Sequence, residues 1–334
     1  MNNKKTFHEV SEIWCDAKRP IVKHSTLCAY QLTLQTHLLP RFGAAENITE
    51  KDVQQFVIDK CTSGLARKTV RDIVAVLKSV IKYGNKHGIF HFEEWEIEYP
   101  TQTENKLPST LSLNHQRILM RHLLEQPTPQ NIGVLLALCT GMRIGECTGL
   151  TWNDVDFKKR CISVNHAATY YTRNGVAGFA VSRPKTEAGI RLIPMMDAVY
   201  NALKNEYDRQ KKDGFCTYEL DGVSGFIFSN KLGLLHNPHC VNLAIKRIYE
   251  AHNAREIIDA KREHREPVII PHFSCHVLRH TFCSRLCESD MNVKVIQEIM
   301  GHKNVETTLD IYTEVNYNKK KDSLEELASK MQFF

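Results

Sequence analysis

Four separated stretches of the chain hold polar side chains that stand out from their surroundings. Thr140-Gly-Met-Arg143-Ile-Gly-Glu146 follows an apolar helical run and sets an arginine just past a glycine break. Arg183-Pro-Lys185-Thr-Glu-Ala-Gly189 carries a lysine on what reads as the first strand of a hairpin. His276-Val-Leu-Arg279-His280 opens a helix, and its first histidine and its arginine, three apart, share one helix face. Gly301-His302 comes next, with Tyr312 ten residues beyond His302.

Singly, each has an ordinary explanation. A lone arginine usually makes a surface ion pair, a lone lysine is solvated, and a tyrosine near a chain end is commonly core or interface. In order, they suit one task. A phosphodiester is anionic and repels an anionic nucleophile, so a protein that breaks it works mainly by positioning and by neutralising charge. Arg143 and Arg279 can each fork paired N–H donors onto the non-bridging oxygens, which an ammonium cannot copy. His276 and His302 can add hydrogen bonds. Tyr312 supplies a nucleophile whose anion is more stable than an alkoxide, although a free pKa near 10 demands a base or a cationic setting. Glu146 is better suited to supporting Arg143 than to facing a phosphate that would repel it.

A metal site is the rival from another class. Cys275, His276, His280, Cys283 and Cys287 lie on one short stretch, and the last three of them fall on one helix face. Structural zinc sites usually draw on two knuckles, and no C-x-x-C pair occurs in the chain. Buried small cysteines behind the His276 turn are the better reading, and no metal is expected.

These residues need elements to hold them. From about Thr6 to His91 the pattern is of helices joined by short loops. In the clearest, Ala66 to Gly88, Val70, Ile73, Val74, Leu77, Val80 and Ile81 form one apolar stripe. Arg71, Lys78 and Lys82 lie on another face, and with Arg67 and Lys68 they are candidate DNA-backbone contacts. For this helix alone, a solvated surface explains them as well. Periodicity breaks from Glu93 to Ser109, a candidate linker, and resumes with a helix from Leu111 and the apolar run Asn131–Gly141. After Asp156 strands are expected, with a hairpin from Ala180 to Met195 turning at Glu187-Ala188-Gly189. Helices return from Asp197 and dominate to the end.

Bulk properties set bounds. A chain of 334 residues is long enough for two domains. No apolar run approaches the roughly 20 residues of a membrane span, and no apolar stretch follows the charged start, so neither membrane insertion nor a secretory leader is expected. Eleven scattered cysteines fit a reducing, cytoplasmic setting. A net charge of +6 permits a nucleic-acid partner without demanding one.

The ordered set resembles the tyrosine recombinase (phage and transposon integrase) family. That family carries an arginine in a T-G-x-R-x-x-E context, a β-hairpin lysine, H-x-x-R, G-H, and a tyrosine about ten residues later. Thr140–Glu146, Lys185, His276–Arg279, Gly301-His302 and Tyr312 match in order. The 183–195 segment looks like the family's lysine hairpin, and Ser25–Gly43 is similar to the start of its helical core-binding domain.

The resemblance implies a mainly α fold with a small antiparallel β-sheet: a helical, SAM-like core-binding domain plus a mixed α/β catalytic domain. The expected boundaries are residues 1–96, a linker 97–109, the catalytic domain 110–316 and a tail 317–334. An arm-site domain ahead of the core-binding domain is not expected, and the 213–271 segment is longer than a minimal member needs. The resemblance implies Tyr312 as nucleophile, Arg143 and Arg279 on the phosphate, His276 as base, and Lys185 as the acid that protonates the leaving 5′-hydroxyl. It implies double-stranded recombination sites as partner, no cofactor, and a tetramer on DNA linked through the tail. Leu324, Leu327, Ala328 and Met331 would make that tail's apolar stripe. An accessory directionality factor and a nucleoid-associated location are further expectations. A type IB topoisomerase and a catalytically silent DNA-binding protein are the alternatives.

Overall fold

The computed structural model describes residues 5–101, 110–173, 176–184, 187–230, 232–289, 291–313 and 324–325. The chain divides into two compact units, residues 1–105 with 171–177, and residues 106–170 with 178–334. Among the described residues, no helix is long and apolar enough to cross a membrane. Mainly helical structure with small sheets is what the chain forms.

The first unit is helical. Thr6 opens α1 (Phe7–Lys18) through a reciprocal cap with Glu9. Next comes α2 (His24–Thr33), followed by a wider π-helical turn, Leu34–Leu38, where Pro40 lacks the N–H that the regular ladder needs. After α3 (Leu39–Phe42), Thr49 and Asp52 cap α4 (Glu50–Thr62) in the same way. The long α5 (Arg67–Lys86) buries all six residues of its apolar stripe against Phe7, Trp14, Leu38 and Phe56.

Residues 89–101 then lie back across this core. Phe90 and Trp95 are buried in it, and the Gln54 amide exchanges hydrogen bonds of 2.9 Å with the Glu98 backbone in both directions. Lys78 Nζ donates to the Trp95 carbonyl at 3.1 Å. The loss of helical period at Glu93 therefore marks a packed extended strap, at least through Tyr99.

In the second unit, Ser112 caps α6 (Leu113–Glu125), and Thr128 caps α7 (Pro129–Thr140), which has proline in its first turn. Every residue from Asn131 to Thr140 is buried, as expected for a helix that is apolar all round. A glycine break leads to the short α8 (Ile144–Thr148). Strands β1 (Val155–Asp156) and β2 (Cys161–Val164) follow, then β3 (Ala167–Arg173) and β4 (Val176–Ser182), whose residues 171–177 count with the first unit, and β5 (Arg191–Pro194). Four helices complete the unit: α9 (Asp197–Asp213), α10 (His239–Arg262), α11 (Cys275–Glu288) and α12 (Val293–Met300). Helices α6, α9, α10 and α11 pack round α7, which is the centre of the unit.

The hairpin expected at Glu187–Gly189 does not form, and this corrects the strand reading. Its two arms belong to different sheets. Val181 and Ser182 end β4, whose partner is β3, whereas β5 pairs antiparallel with β2 in the order β1-β2-β5. Ile162 lies opposite Ile193, so β2 offers β5 an apolar partner. Asn174-Gly175, between β3 and β4 in sequence, is also a stronger hairpin signal than Glu187-Ala188-Gly189. A short 3-10 turn, Glu187–Gly189, links the two sheets instead.

Candidate active site

The site is built on two helix ends. Gly141 ends α7 and Gly301 ends α12, both in the left-handed region, with φ of 64° and 62°. Glycine is required twice over at each. A Cβ on Gly141 would meet Phe282 Cδ1 at 2.7 Å and Met300 Sδ at 2.8 Å, and one on Gly301 would meet the Ala188 carbonyl and Arg191 Nη1 at 3.0 Å. The close approach leaves carbonyl oxygens at the negative ends of two helix dipoles, where cations are favoured.

Arginines fill that role. Arg279, on α11, is buried and donates to the carbonyls of Gly141 and Met300. Arg143 donates from Nη2 to the Gly301 carbonyl at 3.2 Å. Arg191, on β5, donates from Nε to the Ile299 carbonyl at 2.7 Å. Three consecutive carbonyls at the end of α12 thus each accept from a different arginine.

Glu146 ties this arrangement together. It is buried, and its Oε2 accepts from the Arg143 backbone N–H and from Arg191 Nη2, both at 2.8 Å. Its Oε1 accepts from Arg143 Nη1 at 2.9 Å and from Arg191 Nη1 at 3.3 Å. Burial pushes its carboxyl pKa up, but the hydrogen bonds and charge of Arg191, then those of Arg143, outweigh this and hold it below its ordinary value. The Arg143 side chain keeps 46% of its surface exposed, against 4% for Arg191, so of the two it is Arg143 that reaches solvent.

The histidines lie in this cationic field. His302 is buried, and its Nδ1 is 2.9 Å from Thr308 Oγ1. Burial first, then Arg279 and Arg143, lower its pKa to about 4, which makes it a neutral ring at physiological pH. His276 lies in the first turn of α11, with its Nε2 2.9 Å from His280 Nε2 and the rings edge to face. Burial, Arg279 and Arg143 lower its pKa as well. Burial and the charges of Arg143 and Arg191 also press the Arg279 guanidinium down, to about 9.

Tyr312 lies on the helical stretch 306–313, one turn beyond Thr308, and packs against the cluster of Phe282, Cys283, Leu286, Cys287, Ile296 and Met300. Of the six residues picked out in the sequence as catalytic, Arg143 caps α8, His276 and Arg279 lie on α11, His302 follows the end of α12, and Tyr312 lies on the helical stretch beyond it. Lys185 falls outside the described residues, as do Leu327, Ala328 and Met331 of the tail. All eleven cysteines are free, and among the described residues no three His, Cys, Asp or Glu side chains gather as a metal site.

The backbone-contact candidates lie in the first unit and are partly engaged there. Arg67 and Arg71 sit over the Tyr99 ring at 5.9 and 5.0 Å, and Lys82 over Phe92 at 5.1 Å. Lys78 is held by the Trp95 carbonyl, and Lys68 is exposed.

Sequence reasoning did not find Arg191, Thr308 or the pairing of His280 with His276. Arg191 had one readable signal. Its strand alternates buried and exposed, so Arg191 shares the inward face with Ile193, an unusual place for an arginine.

A helical unit followed by a mixed α/β unit, in which arginines and histidines gather at the end of α12 and Tyr312 packs beside Met300, is the make-up of a tyrosine-type DNA strand-cleaving and rejoining enzyme. The chain belongs to the phage integrase family: residues 110–319 match that family, and residues 6–60 match its N-terminal SAM-like domain. It is a tyrosine recombinase. The transposase from transposon Tn916 of Enterococcus faecalis is 25% identical over 95% of this chain and 76% of its own length. A tyrosine recombinase XerC of Roseiflexus castenholzii is 24% identical over 88% of this chain and 84% of its own. A Tn1549 transposon integrase, solved in complex with transposon right end DNA, superposes with a TM-score of 0.76 at 25% identity, covering 97% of this chain and 100% of that one. A lambda integrase dimer bound to a core site shares the fold at a TM-score of 0.59 and 16% identity, over 93% and 78% of the two chains.

Proposed function

We propose that this recombinase binds double-stranded recombination sites and cuts them by attack of the Tyr312 hydroxyl on the scissile phosphorus. The bond to the 5′ oxygen breaks, and a 3′-phosphotyrosyl link forms. Arg143 and Arg279 neutralise the non-bridging oxygens. His302 adds a further donor: with the Thr308 hydroxyl donating to Nδ1, the ring proton resides on Nε2. His276, neutral because burial and two arginines lower its pKa, accepts the tyrosine proton. Lys185 returns a proton to the leaving 5′-hydroxyl. Attack by a 5′-hydroxyl from another strand reverses the chemistry, and because the phosphotyrosyl link keeps the bond energy, no nucleotide hydrolysis is needed.

The observation that carries this reading is the set of arginines fastened to the end of α12, immediately before His302 and one short helical stretch before Tyr312. The wider role is integration or excision of a mobile element, with four protomers assembled through the tail, where Leu324 is exposed, and with an accessory factor setting direction. The domain boundaries that go with this reading are 1–96, 97–109, 110–316 and 317–334.

The test is covalent trapping. Wild-type protein incubated with DNA of its source should yield an adduct on denaturing gels, and sequencing the trapped ends should return one recurrent site. Tyr312→Phe should bind that site within about twofold and give no adduct. An undiminished adduct in the Phe variant ends the assignment of the nucleophile, and relaxation of supercoils at unrelated sites would favour a topoisomerase.

A further inference from the structure

Arg191 is costly to bury, since its guanidinium is almost wholly out of water. Everything it gains in return is directed at neighbours of the site. Its Nη1 and Nη2 bind both oxygens of Glu146, at 3.3 and 2.8 Å, in an end-on fork. Its Nε holds the Ile299 carbonyl at 2.7 Å, and Nη1 also holds the Gly189 carbonyl at 3.1 Å. It lies against the Gly301 backbone so tightly that a Cβ there would come within 3.0 Å of Nη1.

Those contacts are the supports on which Arg143 rests. Arg143 reaches Glu146 through Nη1 and the Gly301 carbonyl through Nη2. Arg191 grips the first directly and braces the second from two residues away. Strand alternation explains how a residue of β5 arrives here: Arg191 and Ile193 point inward, while Leu192 and Pro194 point out.

We infer that Arg191 is a positioning residue for strand cleavage, whose fork on Glu146 and grip on Ile299 fix Arg143 and the Gly301-His302 turn where they meet the scissile phosphate. The inference rests on the reading of Arg143 and His302 as phosphate ligands. Arg191 itself, with its donors spent on protein, does not touch the DNA. A lysine could supply the charge but not the fork.

The experiment compares two backbones in nicked duplexes that carry the trapped site sequence, one with an ordinary scissile phosphodiester and one with an uncharged methylphosphonate. Removing the negative charge removes most of the need for correctly aimed arginines. Arg191→Gln should cleave the phosphodiester about 10- to 100-fold more slowly than wild type, a loss of the size seen when one transition-state donor is misplaced. On the methylphosphonate its loss should shrink to less than about threefold, with DNA affinity unchanged within about twofold. Arg191→Lys should show the same discrimination in weaker form.

Because Arg191→Gln strands a buried carboxylate, the double variant Arg191→Gln/Glu146→Gln is measured alongside, and it should discriminate between the two backbones in the same way. Equal losses on both backbones in both variants would overturn the inference, since a merely unstable protein fails on either substrate. Arg143→Ala on the same pair separates positioning by Arg191 from the phosphate clamp itself. If it discriminates and the Arg191 variants do not, the inference alone falls. If Arg143→Ala does not discriminate, the phosphate-clamp reading falls and takes the inference with it.

Discussion

Arg143 and Gly301, 158 positions apart in sequence, are joined by a single hydrogen bond of 3.2 Å from guanidinium to carbonyl. The bond closes the site across α8 and α12, and it exists because Gly301 adopts a φ of 62° that turns its carbonyl toward Arg143.

Gly301→Ala should therefore damage both stability and cleavage. An L side chain in the left-handed region costs roughly 1–2 kcal/mol, and the new methyl would press on Arg191 and the Ala188 carbonyl. Denaturant unfolding should show a loss of about 2–3 kcal/mol, together with a fall in cleavage rate larger than any fall in DNA affinity. A variant as stable as wild type would show that the turn is not held as described.

Arg279→Ala should lower cleavage by about a hundredfold or more, on the order of 3 kcal/mol of transition-state stabilisation. Arg279→Lys should rescue little of it, because an ammonium carries its donors on one nitrogen and cannot reproduce the planar fork that reaches the Gly141 and Met300 carbonyls and a phosphate. Single-turnover rates set against binding constants decide the matter. Equal losses in rate and affinity would make Arg279 a grip on DNA and no more.

His302 should leave a mark on the pH dependence of folding. Its pKa falls from 6.5 to about 4 on folding, so between those values the unfolded chain takes up a proton that the folded chain refuses. Stability from this residue is complete above pH 6.5, declines as pH falls, and is fully lost below about 4. Each tenfold difference in proton affinity between the two states is worth about 1.4 kcal/mol. In thermal melts across this acid range, His302→Gln should show a shallower slope than wild type. Parallel slopes would mean that His302 titrates normally in the folded protein.

In the first unit, Lys78→Met should leave the salt dependence of DNA binding unchanged, because the ammonium is committed to the Trp95 carbonyl. Arg71→Ala should reduce the slope of log affinity against log salt by about one, as expected for a guanidinium that is exposed beside Tyr99. If Lys78→Met cost as much slope as Arg71→Ala, the lysine would reach the backbone after all.

The helical parts of this architecture were readable because burial imposes a period. The stripe on α5 and the all-round apolar α7 are direct consequences of what each helix packs against. The arginine, histidine and tyrosine set was readable because each member stands in a short local context, such as the glycine breaks before Arg143 and His302. The strand pairing around Lys185 was not readable, since β5 chooses β2 over the nearer β4, and such a choice is made by tertiary apolar contacts that leave no local trace. Arg191 went unread although its place on the inward face beside Ile193 was a signal, because its importance comes from the partners that its strand turns it toward. The strap over α5 was hidden because Phe90, Trp95 and Tyr99 are too sparsely spaced to show a period.

The grip of three arginines on carbonyls 299–301 also bears on how the protein comes into being. The arginines are contributed by residues 143, 191 and 279, so every one of them is made before the backbone that receives it. A growing chain that has not passed residue 301 can pair Arg143 and Arg191 through Glu146, but it lacks the three carbonyls on which all three arginines meet, and Tyr312 comes later still. Synthesis thus delivers the cutting centre last, and any fragment that stops short of α12 lacks both the seat for the arginines and the tyrosine.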